Sequence, residues 1–440
     1  MSLDNPFYHR GAIRRAVDFY GRNSEVDQIL GLLRNGQSVS LIGPRRIGKS
    51  SMLLQLGRVE AREKLNLQPP NALFVLIDCQ EFGGSSSEEL YEALFTGLLD
   101  AAEEAEIEID VNQQSPGTYR ALDRALHQIS RKDVSVVVLL DEFELLAANE
   151  HLTPYFFARL RGLTTKYGLA YITASQRPLF AITAEEEILS SPFFNIFVTL
   201  PLGLFSREEA EYMVNGRLAS SQFDFSEELI DYLIYLVGPH PFFLHIAAYH
   251  AYQALANGNP LSTKEEMVQL DSPIEVEAHS HLNYLWYNLS AEEQYALAIA
   301  EGPIDSLRLL EQQCLLAQDE NGKHIYTNAI LRRFVRRQQV VGLIQAGPFV
   351  IDQQRHQVWG NGKELSLTTS QFAILVCLCG QAGQVVHGEE LETAVWGDVL
   401  VDDPDRLKTL IKRLRRSIAP YDNWIISERG VGYALRQPEK

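Results

Sequence analysis

Cysteine pairs and long apolar runs are both missing from this chain of 440 residues. The chain has four cysteines, and none forms the CxxC pair that is typical of zinc and dithiol sites. Free thiols suit a reducing cytosol, which favours a cytoplasmic location. No apolar run approaches the ~18 residues of a membrane span, and the opening MSLDNPFYHR lacks the apolar core of a targeting signal. We therefore expect no zinc centre and no membrane partner.

Positive charge is also in short supply. The chain has 39 Lys and Arg residues against 57 Asp and Glu residues, for a net charge of -18. This balance argues against a protein coated in positive charge for nucleic acid. Residues 347–440 hold 11 basic and 12 acidic residues, which leaves 28 and 45 for the first 346. The acidic excess therefore precedes residue 347, and any surface for nucleic acid must be small.

The pattern of apolar residues predicts several domains, as the length of the chain also does. Residues 1–200 alternate apolar runs with amphipathic stretches, which predicts a parallel sheet with helices on both faces. Residues 201–270 are helical in pattern. Residues 271–342 show the order helix, helix, turn and strand of a small winged-helix-like unit. Residues 347–440 have strand pairs at both ends with helices between them. The four predicted strands of the parallel sheet are Ser38–Gly43, Ala72–Asp78, Ser135–Asp141 and Leu169–Ser175.

A phosphate-binding loop follows the first predicted strand. Residues 43–50 fit G-x-x-x-x-G-K-[ST] and precede a helical stretch, which is the context that the motif requires. In such a loop the backbone N–H groups and the helix N-terminus hold phosphates, Lys49 reaches the β and γ phosphates, and the Ser50 hydroxyl binds Mg²⁺. The sequence predicts an ATPase that uses ATP, ADP and Mg²⁺. The predicted loop contacts are Gly43, Pro44, Arg45, Arg46, Ile47, Gly48, Lys49, Ser50 and Ser51.

An acidic pair ends the third predicted strand. Asp141 is expected to hold the Mg²⁺, and Glu142 to orient and deprotonate the attacking water. Asp78 is a rival because it also ends an apolar strand, but Cys79 follows it and no second carboxylate is adjacent. We favour Asp141 with Glu142.

Polar residues follow the fourth predicted strand. Thr173, Ser175 or Arg177 could touch the γ-phosphate, because ligands bind at the carboxyl edge of such sheets. A solvated strand end is the alternative.

Six segments, taken together and in their order along the chain, resemble the AAA+-related STAND ATPases and the similar archaeal-type ATPases, over roughly residues 15–340. They are Tyr20–Glu25, the GPRRIGKSS loop, LLDEFE, ITASQR, LGLFSREEA and Gly238–Pro241. The resemblance implies that Tyr20 and Arg22 lie near the adenine, that Ser175 senses the nucleotide, and that Pro241 of a helical lid packs on the base. Pro239 stands where the family has a second glycine.

The same resemblance implies a slow, switch-type ATPase in which ATP favours an open, associating state and ADP a closed one. The resemblance also implies that an arginine from a neighbouring molecule completes the site; the candidates in this chain are Arg159, Arg161 and Arg177.

A basic helix is predicted from Arg406 to Ile418. Its apolar residues recur at helical spacing, and it contains no acidic residue. A face of one sign suits a helix in a DNA major groove, although a merely basic surface helix is the alternative. The hairpin pattern of residues 424–435 places Arg429 at a tip, where a wing adds a minor-groove or phosphate contact. The predicted DNA contacts are Arg406, Thr409, Lys412, Arg413, Arg416 and Arg429.

Residues 347–437 resemble the OmpR/PhoB-type winged-helix domain. The motifs are LSLT at 365–368, QFAIL at 371–375, residues 383–397, IKRLRRSI at 411–418 and SERGVGYAL at 427–435. The resemblance implies that the IKRLRR helix contacts bases and that the RGVGY hairpin is the wing. Gln371 replaces the usual Glu, which we expect to affect a helix cap. No phosphorylatable receiver domain is apparent, and the nucleotide module stands in its place.

A second basic cluster ends the middle unit, and for it we favour an intramolecular or interdomain role over a second DNA contact. It consists of Arg332, Arg333, Arg336 and Arg337.

The predicted architecture is an α/β P-loop NTPase of AAA+/STAND type (1–200) with a helical lid (201–270), a middle winged-helix-like domain (271–342) and a C-terminal winged-helix domain (347–440). The predicted function is an ATP-controlled, DNA-binding regulator, most simply of transcription, whose nucleotide state controls its conformation or assembly. Double-stranded DNA, a second copy of the chain and a further protein are the expected partners. A DNA-associated loading or remodelling ATPase and a STAND-type signalling or defence scaffold stay open as alternatives.

Overall fold

The computed structural model describes residues 5–8, 10–110, 115–179, 192–340, 342–353, 355–397 and 405–437. The chain divides into two compact units, Met1–Ile274 and Glu275–Lys440. Within the described ranges, no helix is both long and apolar enough to cross a bilayer.

The first unit is built on a parallel sheet of five strands, ordered β2-β3-β4-β1-β5. The four predicted strands are confirmed, and a fifth at the edge was missed because its side chains are mostly exposed. The carboxyl ends of β1, β3 and β4 meet at one edge, because β4 pairs in parallel with both neighbours. This is the sheet of a P-loop NTPase. The strands are β1 (Ser38–Ile42), β2 (Ala72–Asp78), β3 (Ser135–Asp141), β4 (Ala170–Ser175) and β5 (Phe197–Pro201).

Helices cover this sheet. The sequence sets several of their starts, since Ser86 and Thr118 accept hydrogen bonds from the first turns of α4 and α5. One face of the sheet and the helices α4, α5 and α7 share a buried apolar core. The helices are α1 (Asn23–Arg34), α2 (Lys49–Gly57), α3 (Val59–Arg62), α4 (Ser87–Glu104), α5 (Tyr119–Ser130), α6 (Phe143–Ala147) and α7 (Pro154–Tyr167).

A helical lid completes the first unit, as the pattern of residues 201–270 predicts. Ser206 and Glu209 form a capping box at the start of α8. Gly238 ends α9 with a positive φ, and Pro241 begins α10. The lid helices are α8 (Arg207–Leu218), α9 (Glu227–Val237), α10 (Pro241–Ala256) and α11 (Lys264–Met267).

The second unit opens with a small helical subdomain. The helix α12 (Asp271–Tyr287) contains the point at which the two units divide. The predicted order of helix, helix and strand is confirmed, and the strand is half of a short antiparallel hairpin. The remaining elements are α13 (Ala291–Ile299), α14 (Ile304–Gln312), β6 (Leu316–Gln318), β7 (His324–Tyr326) and α15 (Ala329–Val335).

The C-terminal part has the winged-helix fold. A four-stranded antiparallel sheet, β11-β10-β9-β8, is followed by three helices and a three-stranded sheet, β12-β14-β13. The first sheet begins at Leu343, four residues before the predicted boundary. The elements are β8 (Leu343–Ala346), β9 (Phe349–Asp352), β10 (Gln357–Gly360), β11 (Lys363–Glu364), α16 (Thr369–Gly380), β12 (Val385–His387), α17 (Gly388–Trp396), α18 (Arg406–Ser417), β13 (Ile425–Glu428) and β14 (Gly432–Leu435).

The first sheet of this domain packs on both faces. Phe349, Ile351 and Val358 lie in the winged-helix core. The alternate residues Val350 and Trp359 form a separate buried cluster with Ile299 of α13, as the period of two in a strand allows. The middle subdomain and the C-terminal domain are therefore joined by apolar packing.

Candidate functional site

A cavity of about 260 Å³ lies beside the phosphate loop. It is bounded by the loop, by an N-terminal segment and by the lid, all within the first unit. Of the predicted nucleotide contacts, Tyr20, Arg22, Pro241 and the loop residues from Arg45 to Ser51 line this cavity, together with Glu142. The structure therefore brings together residues that lie more than 200 positions apart. The additional lining residues are Arg10, Gly11, Ala12, Ile13, Asp18, Phe19, Phe205, Met213, Phe242 and His245.

The loop has the backbone that phosphate binding requires. Gly48 has a φ of 108°, which a residue with a Cβ adopts only with strain. The Lys49 ammonium donates to the carbonyl oxygens of Gly43 and Pro44 at 2.8 and 3.1 Å. Burial lowers the pKa of Lys49, and nearby carboxylates oppose that shift. The cation is thus buried at the point where phosphate charge would neutralise it.

Ser50 and Asp141 meet at the foot of the loop. Burial raises the pKa of the Asp141 carboxyl group, and the nearby Ser50 hydroxyl opposes that shift. A hydroxyl beside a carboxylate, next to a phosphate loop, is the donor set that Mg²⁺ takes in nucleotide sites. The rival Asp78 is exposed, and it accepts a hydrogen bond from the backbone N–H of Gln80 at 3.0 Å as a helix cap.

Two further carboxylates follow Asp141. Glu142 has a φ of 49° and forms the N-cap position of α6, and this left-handed turn lets it line the cavity. Glu144 lies behind the loop, where its Oε1 accepts a hydrogen bond from the Gln176 backbone N–H at 3.3 Å. Glu144 is not among the predicted site residues, although it stands in the LLDEFE segment beside Asp141 and Glu142.

The strand β4 ends differently from the prediction. Ser175 is fully buried, its hydroxyl donates to the carbonyl of Arg177 at 2.8 Å, and it is not among the residues lining the cavity. Thr173 is also fully buried. The structure therefore does not bring Ser175 to the cavity, because its short side chain satisfies its own turn.

Tyr20 and Arg22 link the cavity to the lid. The guanidinium of Arg22 donates to the carbonyls of Gly203 and Leu204 and pairs with Glu25 at 3.0 Å. Its backbone N–H donates to Glu209 in the capping box of α8 at 2.6 Å. Arg22 thus lines the cavity, but its donors hold the segment that joins the sheet to the lid.

The lid supplies an apolar wall. Pro241 and Phe242 start α10 at the cavity, and the Arg46 guanidinium lies 5.2 Å from the centre of the Phe242 ring. The segment that precedes the lid is attached to the start of α10 nearby, because the Phe205 backbone N–H donates a hydrogen bond to the Pro239 carbonyl at 3.0 Å. A proline at position 239 therefore still supplies the backbone carbonyl that accepts this hydrogen bond.

An N-terminal segment crosses the cavity and contacts both sides of it. The backbone N–H of Ile13 donates to the Ser51 hydroxyl at 2.9 Å, and Arg46 donates to the Arg10 carbonyl. On the lid side, the Phe7 ring stacks on Phe225 with centroids 5.9 Å apart. This segment is not predictable from the sequence pattern, because an irregular stretch has no periodicity.

The arginines considered for a neighbouring site differ in exposure. Arg159 lies 4.3 Å from the Tyr155 ring centre and 4.9 Å from that of Tyr119, which holds it against its own unit. Arg161 and Arg177 are exposed.

The basic helix of the C-terminal domain, α18, has the predicted stripe. Leu407, Leu410, Ile411 and Leu414 are buried in the domain core. The exposed side chains are Lys408, Thr409, Lys412, Arg413 and Arg416. Four of them are basic, and together they form a cationic face.

Arg406 lies elsewhere than its prediction as a DNA contact requires. Its side chain is only 10% exposed and pairs with Glu392 at 3.0 Å. Its guanidinium lies 4.2 Å from the centre of the Trp396 ring. Arg406 thus joins α18 to α17 and is not part of the exposed basic face, because the first turn of α18 lies against α17.

The wing is a hairpin, as predicted. Glu428 pairs with Gly432 across it, and Arg429 is exposed at the turn. Arg415 holds the wing to α18 through hydrogen bonds to the Ile425 carbonyl and the Ser427 hydroxyl. Gln371 forms a capping box with Thr368, so its expected role in a cap is confirmed.

The middle basic cluster is largely paired within its unit. Arg333 and Arg337 both bind the Glu275 carboxylate, at 2.8 and 3.1 Å. Burial, followed by the neighbouring charge of Arg332, lowers the pKa of Arg336. The two ion pairs to Glu275 lie within the middle subdomain, so they favour the intramolecular side of the predicted role.

Comparisons with known proteins agree with this two-part arrangement. Residues 28–302 match the family described as Novel STAND NTPase 2, and residues 362–435 match that described as Transcriptional regulatory protein, C terminal. The chain is 31% identical over 110 residues to the response regulator ArlR of Staphylococcus aureus, covering 24% of this chain and 50% of that one. It therefore spans about half the length of this relative.

Two solved structures are similar to parts of the chain. The Walker-type ATPase PABY2304 of Pyrococcus abyssi is 18% identical with a TM-score of 0.55, over 75% of this chain and 99% of that one. The RstA DNA-binding domain of Klebsiella pneumoniae, solved in complex with the RstA box, is 28% identical with a TM-score of 0.20, over 21% of this chain and 95% of that one.

The family matches, the five-stranded parallel sheet with its phosphate loop and the C-terminal winged helix together identify the chain. It belongs to the Novel STAND NTPase 2 family and carries a C-terminal DNA-binding domain of the transcriptional-regulator type.

Proposed function

We propose that this protein is a cytoplasmic transcriptional regulator in which bound ATP or ADP controls DNA binding by the C-terminal winged helix. The observation that carries the proposal is the pairing of two sites in one chain. One is a cavity beside the phosphate loop with a buried loop lysine, Lys49. The other is an exposed face of one charge sign on α18.

The cavity suits a nucleoside triphosphate. Loop backbone groups and Lys49 would hold the phosphates, and the apolar lid wall around Pro241 and Phe242 would cover the base. Ser50 and Asp141 would hold Mg²⁺, which neutralises phosphate charge when bound. Glu142 reaches the cavity from the adjacent strand end and would orient and deprotonate water. We propose slow hydrolysis, in which the bound nucleotide acts as a switch.

The C-terminal domain suits double-stranded DNA. Thr409, Lys412, Arg413 and Arg416 project from one side of α18, and we propose that they enter the major groove. Arg429 at the wing tip would contact the adjacent minor groove or backbone. Because this face is cationic, we expect DNA binding to weaken as the salt concentration rises, with a slope set by the number of phosphates that it neutralises.

Coupling requires the two nucleotides to favour different arrangements of the chain. The lid contacts both the cavity and the segment around Arg22, so a change in the cavity acts on the lid. The C-terminal domain shares an apolar cluster with α13, so it would move together with the middle subdomain. We propose nucleotide-dependent self-assembly as the second consequence of this coupling.

The test is selection of bound sites from random DNA by the full chain, with ADP or a non-hydrolysable ATP analogue present. We expect one recovered motif and an affinity, or an oligomeric state, that differs between the nucleotides. Equal affinity and equal oligomeric state would remove the switch. Strong stimulation of hydrolysis by DNA of any sequence would favour a loading ATPase, and no recovered DNA would favour a protein-binding scaffold.

A further inference from the structure

The exposed charges of the helix α4 are all negative. Between Glu81 and Thr118 the chain contains no lysine or arginine, and α4 lies within this stretch. Each acidic side chain of the helix is exposed, and within the described ranges none of them has an ion-pair partner. The acidic face of α4 consists of Glu88, Glu89, Glu92, Asp100, Glu103 and Glu104. A surface of one charge sign attracts a partner of the opposite sign.

The neighbouring helix α5 carries the opposite charge. Its acidic residue Asp123 is paired with Lys166 of α7 at 2.7 Å, so this carboxylate does not offset the arginines of the helix. The two exposed arginines of α5 have no ion-pair partner among the described residues. Residues three or four positions apart share one face of a helix. The basic face of α5 consists of Arg120, Arg124 and His127.

The two helices lie side by side and run in the same direction. The rings of Tyr91 and Tyr119 are 5.7 Å apart near the two helix starts. Seven residues further along each helix, Leu98 and Leu126 line the same small cavity in the core. The acidic and basic faces are therefore adjacent, although no ion pair joins α4 to α5 in the part of the chain that the structure describes.

We infer that α4 and α5 form the surface through which two copies of this chain associate, with α4 of each copy against α5 of the other. An acidic face beside a basic face is complementary to itself. Rotation by 180° about an axis parallel to the two helices places each face opposite its counterpart. Such an interface closes at two subunits, and complementary charge sets its register. The inference deepens the self-assembly in the proposed function and rests on it.

The parallel course of the helices predicts which charges meet. Rotation about an axis along the helices keeps the position of each residue along that axis. Glu92 and Arg120 each follow directly after the paired rings of Tyr91 and Tyr119. Glu92 of one copy therefore lies near Arg120 of the second copy, and this contact occurs twice in the dimer. Because the charges are exposed, we expect a weak association that salt disrupts.

The basic face alone would also attract the phosphates of DNA. The acidic face argues against that ligand, because its carboxylates lie beside the basic face and would repel a phosphate backbone. A second copy of the chain instead meets both faces with the opposite charge, so it is the favoured partner.

Sedimentation of the full chain over a concentration series measures the association, with ADP or a non-hydrolysable ATP analogue present. Arg120→Glu and Glu92→Lys should each raise the dimer dissociation constant roughly 10-fold, because each places like charges in both symmetric contacts. An equimolar mixture of the two variants should restore association, since each contact in the mixed dimer again joins opposite charges. Arg34→Glu and Glu228→Lys, the same reversals at exposed positions of α1 and α9, should leave the constant unchanged.

The mixture is a readout that misfolding of a variant cannot imitate. A mixture that associates no better than the single variants overturns the inference. If the wild-type chain dimerises and no reversal changes its constant, this surface fails and the proposed self-assembly stands. If the wild-type chain stays monomeric with both nucleotides, the surface and the self-assembly fail together, whereas a difference in DNA affinity between nucleotides would still support the switch. Weaker DNA binding by Arg120→Glu with unchanged association would identify DNA as the ligand of the basic face and overturn the inference.

Discussion

The Tyr295 hydroxyl donates a hydrogen bond to the buried carboxylate of Asp352, and this contact joins the middle subdomain to the C-terminal domain. Asp352 is only 2% exposed. It also accepts the backbone N–H of Arg355 at 3.0 Å, and the Arg355 guanidinium lies 5.3 Å from the Tyr295 ring centre. The apolar cluster of Ile299, Val350 and Trp359 lies in the same junction. The DNA-binding domain is thus joined to its neighbour by packing and by a buried polar contact.

Tyr295→Phe should destabilise the second unit by about 1–3 kcal/mol, because it leaves a buried carboxylate with one acceptor site unfilled. Burial, with the hydrogen bond to Asp352, raises the pKa of Tyr295 from 10.0 to about 12. A raised folded-state pKa means that the contribution is complete below pH 10 and is lost as the pH rises toward 12. Denaturant unfolding of both proteins at several pH values measures this. A difference that stays constant from pH 9 to pH 12 would contradict it.

Lys49→Ala should weaken nucleotide binding by about 10- to 100-fold. The substitution removes a charged hydrogen-bond donor to the phosphates and leaves the carboxylates of Glu144, Glu142 and Asp141 without their shared cation. Calorimetry with ADP measures the change. Lys264→Ala, at an exposed lid position, is the matched control. Equal loss in both variants would mean that the effect is general.

Glu142→Gln should separate hydrolysis from binding. The amide keeps the size of the side chain but cannot take a proton from water, so turnover should fall by about 10²- to 10⁴-fold. Nucleotide affinity should change little, because Glu142 lines the cavity without being one of the predicted phosphate contacts. Single-turnover hydrolysis and calorimetry measure the two quantities. Full activity in this variant would require another base.

Gly216→Ala tests the packing of Tyr20 on the lid. A Cβ at Gly216 would lie 2.3 Å from the Tyr20 ring, so the ring must move and the cavity wall with it. We expect a loss of about 1–3 kcal/mol in stability and weaker nucleotide binding. Gly162→Ala is the control, since a Cβ there meets no atom within 4 Å; this helical site should gain about 0.5–1 kcal/mol. Opposite signs in thermal unfolding are the expected result.

Arg413→Ala should weaken specific DNA binding by about 1–3 kcal/mol, and Arg429→Ala should lower the salt dependence by about one ion. Both residues are exposed. Arg406→Ala should instead reduce stability, because it breaks the contact with Glu392 and Trp396. Fluorescence anisotropy at several salt concentrations and thermal unfolding distinguish the two effects. Arg131→Ala, exposed in the first unit, should change neither.

Much of the fold was predictable because its signals are local. The phosphate loop has fixed spacing, β1 to β4 are apolar runs bounded by polar residues, and α18 has a regular apolar stripe. The strand β5 escaped prediction because its side chains are largely exposed and its pairing comes from β1. An edge strand is stabilised by backbone hydrogen bonds, which leave little mark on side-chain pattern.

The site was predictable only in part, for a related reason. A helical wheel places Arg406 on the exposed face of α18, but Glu392 and Trp396 approach from another helix. Likewise, the link from Arg22 to Glu209 and the contact of Ile13 with Ser51 join residues far apart in the chain. Such contacts depend on tertiary packing, which composition and periodicity do not encode.

The strand order has a consequence for how the nucleotide cavity forms. β1, which leads into the phosphate loop, pairs only with β4 and β5 among the described strands, and both are made more than 120 residues later in synthesis. Closing so long a loop is entropically costly, and non-local pairing slows folding. During synthesis β2 and β3 can pair first, whereas β1 and the phosphate loop that follows it stay unpaired until β4 and β5 have been made. We expect recovery of nucleotide binding to be among the last events in refolding, so that the cavity becomes competent for its ligand only after the sheet is complete.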